Sequence, residues 1–233
     1  MSSFFNVDGP LFSGLDKVAD LFWLNVLFLI CCIPIVTIGA SSTALYYVTL
    51  KMVKNEESGI TKSFFRAFKT NFKQSTIIWL FAMVVGFILG FDYLFMTGYW
   101  ADISTLPGFV RKGMLIILLV AALWYLFTLR YVFPLLARFD NTIRNTIKNS
   151  FLISIRHLPY TILLFGIVAA AFAVLYFFPK MLILCFIILF SLVAYLSSYI
   201  FVKIFAYYMP KEEEKDPDAF VLGGDEPENA EEK

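Results

Sequence analysis

Histidine is almost absent: the 233-residue chain has one, His157, beside three cysteines, Cys31, Cys32 and Cys185. No CxxC and no Cys/His cluster at ligand spacing occurs, which leaves neither a metal centre nor a disulfide framework to build. The three thiols fall inside apolar runs and read as small buried hydrophobes. Charge is scarce as well, at 16% of residues, where soluble domains carry about 25%. There is no glycine-rich phosphate loop, no nucleophile–base pair and no pair of carboxylates within an apolar run. The chain is therefore expected to be no enzyme, to need no cofactor and to bind no nucleic acid.

What is abundant is apolar sequence. Hydrophobic residues make up 60% of the chain, with 27 Phe and 12 Tyr, more than a water-soluble core of this size could hide. Barrel strands alternate apolar and polar residues, whereas these runs are continuous. The fold class is all-α, a polytopic membrane helical bundle. Apolar segments fall at about 15–33, 36–53, 75–97, 113–137, 158–178 and 181–206, against the roughly 17–25 residues a spanning helix requires. The stretch before the first run holds Asp8, Asp16, Lys17 and Asp20, the wrong charge for a secretory signal. Residues 1–210 are read as the membrane domain. Residues 211–233, acidic and containing Pro and Gly, have the composition of a disordered tail.

The first two segments meet in CCIPIVTIGASS. Pro34 donates no backbone hydrogen bond and disfavours helix just before it, but suits the first turn of a new helix. Thr37 and Gly39 suit a turn, and Ser41 to Ala44 are small enough for close helix packing. A hairpin gives six spans; a single proline-kinked helix gives five. Cations concentrate between the second and third segments (Lys51, Lys54, Lys62, Arg66, Lys69, Lys73) and between the fourth and fifth (Arg138, Arg144, Lys148, Arg156). The positive-inside rule assigns these links, and with six spans the C-terminus, to the cytoplasm.

The two links share a design. In ITKSFFRAFKTNFK, Ile60, Phe64, Phe68 and Phe72 recur every fourth residue, with Lys62, Arg66, Lys69 and Lys73 largely on another face. In NTIRNTIKNSFLISIRH, Ile143, Ile147, Phe151 and Ile155 recur likewise, with Arg144, Lys148 and Arg156. Both predict basic amphipathic helices at the inner membrane surface, touching lipid headgroups or a partner.

The stretch from Trp23 to Leu80, with Pro34-x-x-Thr37-x-Gly39, the small residues to Ala44, the Leu-Tyr-Tyr run and the basic Phe-x-x-x-Phe link, resembles the YesL-like family of bacterial membrane proteins. RYVFPLLARFD fits it too, and the resemblance covers most of residues 5–210. The family has no established function. Its members often occur beside sugar-binding ABC transporters, so the resemblance implies a bacterial plasma-membrane protein with an accessory role near carbohydrate uptake and an ABC permease as partner. It supplies no catalytic or ligand-binding residue, and it leaves oligomeric state open.

Arg130 lies well inside the fourth span, eight residues before Arg138 or about 12 Å along a helix. An intramembrane cation is a functional-site candidate that should have a partner, and Asp20 is at a plausible depth; the alternative is an arginine that snorkels to the interface. Pro134 would free a backbone carbonyl or merely kink its helix. Asn25 can hydrogen-bond between helices. With Arg130 these define a candidate intramembrane site, which a small-solute transporter would use. Gly86 and Gly90 form a GxxxG in the third span, a close-packing signal.

Overall fold

The computed structural model describes residues 10–56, 59–97, 107–177 and 182–209. The acidic tail lies outside them. Among the described residues every regular element is helical: α1 (Pro10–Cys32), a single 3-10 turn (Ile35–Thr37), α2 (Ile38–Val53), α3 (Ile60–Met96), α4 (Gly108–Arg138), α5 (Ile143–Arg156), α6 (Leu158–Phe177) and α7 (Leu182–Ala206). α2 is the hub, packing against α1, α3, α4 and α7. Its buried face begins Gly39, Ala40, Ser41, Thr43, Ala44, the small residues that let neighbouring backbones approach.

The hairpin reading holds: α1 and α2 are separate helices that turn at Pro34. The helices that meet the length and hydropathy of a crossing are fewer than the six apolar runs. Among the described residues four helices are long and apolar enough to cross a bilayer: α3, α4, α6 and α7. α2 has 16 residues, about 24 Å of helix against a hydrocarbon core of about 30 Å, and α1 carries Asp16, Lys17 and Asp20 in its first half. The most apolar window of α3, α4 and α6 is 11% buried in each, against 44% for α7. Three helices thus present their apolar surface outward, as lipid contact requires, and α7 is the most enclosed.

The tip of the hairpin meets α3 partway along. A Cβ added to Gly39 would stand 2.6 Å from the Ser75 carbonyl oxygen and 2.6 Å from Trp79 Cβ. Gly39 is therefore a close-packing residue in the first turn of α2, which corrects its reading as a turn former. From Trp79, α3 runs on for 17 residues to Met96, about 25 Å of helix, so the tip stops well short of α3's far end. Tip side chains are apolar and outward: Ile33 is 77% and Ile35 62% exposed. Several polar groups of the turn are answered internally. Pro34 has no N–H, the Thr37 amide donates to the Pro34 carbonyl at 3.0 Å, and the Trp79 indole donates to the Ile35 carbonyl at 2.8 Å. The Thr37 hydroxyl lies 2.6 Å from the Cys31 carbonyl and 2.7 Å from that of Pro34. Apolar outward side chains over carbonyls that the chain itself answers suit a turn within hydrocarbon.

The two basic links differ from each other. The first is continuous with its span: no proline interrupts Phe72 to Ile77, and α3 extends for 37 residues from link through span. The second stands as its own helix because Pro159 follows; α5 ends at Arg156, His157 leaves helical geometry (φ −111°, ψ 42°), and α6 starts at Leu158. Thr142 caps α5, its hydroxyl accepting from the Asn145 amide. α5 buries Thr146, Ser150, Ile153 and Ser154, while Leu152 and Ile155 face outward. The helix packs through hydroxyl-bearing residues together with Ile143 and Ile147, which lie against the core, and Phe151, which meets Trp124 of α4; Leu152 and Ile155 are left outward, as on an interfacial helix.

The GxxxG of α3 is half used. A Cβ at Gly86 would meet the Tyr125 hydroxyl of α4 at 2.9 Å, whereas Gly90 has nothing within 4 Å. The Tyr125 hydroxyl also donates to the Ala82 carbonyl.

Candidate functional site

Four contacts bring the cation-bearing segments to one end. Lys17 near the start of α1 donates to Asn55 just after α2. Gln74 of α3 donates to the Asn141 carbonyl after α4. Arg138 at the end of α4 reaches Met209 Sδ past α7, and Arg156 at the end of α5 donates to the Tyr207 hydroxyl at 2.9 Å. The start of α1 and the end of α7 share that end, as an even number of crossings, or a re-entrant hairpin, requires.

On this end Lys62, Arg66, Lys69 and Lys73 of α3, and Arg144, Lys148 and Arg156 of α5, are all exposed. None of them has an ion-pair partner among the described residues, where the one salt bridge joins Lys54 and Glu56 at 3.9 Å. The basic faces are rigidly mounted: Phe64 is fully buried and stacks with Phe68, which in turn contacts Phe72. Arg156 differs from the other six. Its guanidinium lies over the Tyr207 ring at 5.0 Å and the Tyr208 ring at 5.9 Å. His157 sits beside it with Nε2 3.0 Å from the Tyr208 hydroxyl; burial first, then the neighbouring Arg156 charge, lowers its pKa, which favours the neutral ring. A cleft of about 320 Å³, lined by Asn141, Asn149, Arg156 and Tyr208 among others, opens here. At the opposite end Arg111 is engaged, donating to the Met96 and Thr97 carbonyls and so capping α3.

The second locus is Arg130. The structure gives its partners as hydroxyls: Nη1 donates to Tyr46 and Nη2 to Ser197, each at 2.5 Å. Nε is buried with no partner among the described residues. Asp20 is not among its contacts, which corrects the expected carboxylate pairing; no carboxylate lies within 4 Å of Arg130 among the described residues. An arginine deep in a span costs roughly 2.5–3.5 kcal/mol on insertion scales, and two hydroxyls offset this without neutralising the charge. Pro134, one turn on and buried, supplies no N–H to the Arg130 carbonyl. Asn25 belongs to a different contact: fully buried, its Oδ1 accepts from the Ser191 amide at 3.0 Å and joins α1 to α7. Ser198, the residue after Ser197, bonds Thr49 at 2.8 Å.

Arg130 opens into a cavity of about 370 Å³. Apart from Arg130, Tyr46 and Ser42 its lining is apolar or aromatic, including Phe28, Leu45, Trp79 and Phe165. No cluster of His, Cys, Asp or Glu suited to a metal occurs among the described residues. Neither Tyr46 nor Ser197 was a sequence candidate. The Leu-Tyr-Tyr run and the Ser197-Ser198 pair were the available signals, but neither shows which residue faces α4.

Comparison with known proteins follows the same geography. Residues 21–93, from mid-α1 through the Pro34 turn, Gly39 and most of α3, match the family described as "Protein of unknown function, DUF624". The chain is 24% identical over 161 residues, 69% of its length and 68% of the relative's, to the uncharacterized protein YteU of Bacillus subtilis. No solved structure matches. The matched segment holds the hairpin and the first basic face; Arg130 lies beyond it.

Proposed function

We propose that this chain, similar to a family of unknown function, is a non-enzymatic accessory protein of the bacterial plasma membrane. Its cation-rich end faces the cytoplasm and docks on a partner there, an ABC permease of a carbohydrate uptake system. One observation carries the reading: six exposed lysines and arginines on α3 and α5 have no partner within the described chain, yet stand on helices anchored by buried aromatic and hydroxyl side chains. Charges held rigid and unpaired are available to anionic headgroups, at about 1 kcal/mol each near an anionic surface, and to an acidic protein surface. The link to carbohydrate uptake rests on the family resemblance.

Mild solubilisation and affinity purification test this. A permease subunit is expected to co-elute with the wild-type chain and to fall about tenfold or more when Lys62, Arg66 and Lys69 are changed to Gln, three lost charges being worth several kcal/mol. Recovery of no permease with the wild type, or equal recovery with the triple variant, overturns the proposal.

The second reading, a small-solute transporter, is favoured by the cavity at Arg130. Its apolar lining offers no polar route for a sugar. Solute flux into proteoliposomes that vanished in Arg130→Ala would restore it.

A further inference from the structure

The cavity beside Arg130 has a shape and an opening that a docking protein does not need. About 370 Å³ lies at the small end of the range for ligand sites, on the scale of a single acyl chain. Leu126, Phe172 and Phe190 line it and are also exposed on the bundle surface. Leu126 and Phe172 belong to α4 and α6, whose outward surfaces are apolar. The mouth therefore opens sideways toward lipid. A water-borne sugar has no apolar face to match this lining, and its hydroxyls would go unanswered.

At one place in this apolar space stands a full positive charge. Arg130 spends two N–H groups on Tyr46 and Ser197, and its buried Nε–H has no acceptor among the described residues. The Tyr46 hydroxyl accepts from Arg130 and donates to nothing among the described residues, so its proton is also available. Two donors and an uncompensated cation next to an apolar slot ask for an anion attached to a hydrocarbon chain.

We infer that the Arg130 cavity binds a single-chain anionic amphiphile of the fatty-acid class drawn from the bilayer, its carboxylate on Arg130 and Tyr46 and its chain between α4, α6 and α7. This site is separate from the basic faces of α3 and α5, and its failure leaves the docking proposal untouched.

The test uses the full-length protein in neutral detergent and a fluorescent polyene fatty acid as probe. Saturable binding near one probe per chain is expected, with displacement by palmitate and little by hexadecanol, which has the chain without the charge. Arg130→Gln is expected to weaken the probe about tenfold or more, the loss of a charge-assisted hydrogen bond, and Arg130→Lys by less. Ala194→Phe, which fills the cavity wall, should block binding with the cation intact. Should Arg130→Gln fail to give a monodisperse protein, the palmitate–hexadecanol comparison on the wild type decides alone. Non-saturable binding, or hexadecanol competing as well as palmitate, overturns the inference. Acetate displacing the probe as well as palmitate also overturns it, because the site would then serve a small soluble anion. Displacement by phosphatidylglycerol but not palmitate would assign it to a membrane phospholipid and equally overturn the fatty-acid assignment.

Discussion

Gly39→Leu is expected to lower the unfolding midpoint of the detergent-solubilised protein by about 6–12 °C, or to prevent recovery of a monodisperse species. Even the first carbon of a side chain at 39 would sit 2.6 Å from the Ser75 carbonyl oxygen and from Trp79 Cβ. Both atoms belong to or abut the α3 backbone, so neither can swing aside as a side-chain tip would. Overpacking a tight core typically costs about 1–3 kcal/mol; displacing α3 from its hub helix belongs at the top of that range, and about 3 kcal/mol corresponds to the stated shift for a chain of this size. Gly90→Leu is the matched control. It lies on α3 with nothing within 4 Å of the position its Cβ would take and should leave the midpoint unchanged. Equal midpoints for the two variants would show that α2 and α3 do not approach as described.

Thr37→Val should have the next largest effect, although it keeps shape and volume. The hydroxyl is within 2.7 Å of two carbonyls, Cys31 and Pro34. Cys31 is in the last turn of α1, where carbonyls have no intrahelical partner. If the tip is surrounded by hydrocarbon, no water replaces the lost donor, and the cost is about 1–3 kcal/mol. That corresponds to about 2–12 °C. Thr37→Ser should restore nearly all of it. Thr128→Val should be mild, because Thr128 donates to the Trp124 carbonyl four residues back, a position where the helix already supplies a donor. A Thr37→Val protein as stable as Thr128→Val would place the tip in water.

Much of this architecture was legible from the sequence because it is written in local pattern. Pro34 marked the hairpin, and the fourfold spacing of Phe64, Phe68 and Phe72 marked the basic helix of the first link. Features that depend on distant partners were not legible. Gly39 looks like a turn residue until α3 is placed against it. The Thr146, Ser150 and Ser154 face of α5 is invisible to a reading that registers only apolar residues. Run length counted α1 and α2 as spans, but the depth of their tip is set by contacts with Ser75 and Trp79, 36 and 40 residues beyond Gly39. Arg130 was found by depth alone, while its partners Tyr46 and Ser197 sit 84 and 67 residues away. Charge logic called for a carboxylate; the fold supplies hydroxyls and leaves the positive charge for something else.

The central claim is that α3 and α4 continue across the bilayer past a hairpin whose tip stops within it. Single cysteines at Ile35, Asn55 and Thr97, in a chain with Cys31, Cys32 and Cys185 changed to alanine, test it through a membrane-impermeant maleimide applied to intact cells. The account predicts that Thr97→Cys reacts from outside, that Asn55→Cys reacts after permeabilisation alone, and that Ile35→Cys reacts in neither case until detergent dissolves the membrane. Labelling of Ile35→Cys from outside as fast as Thr97→Cys would contradict it.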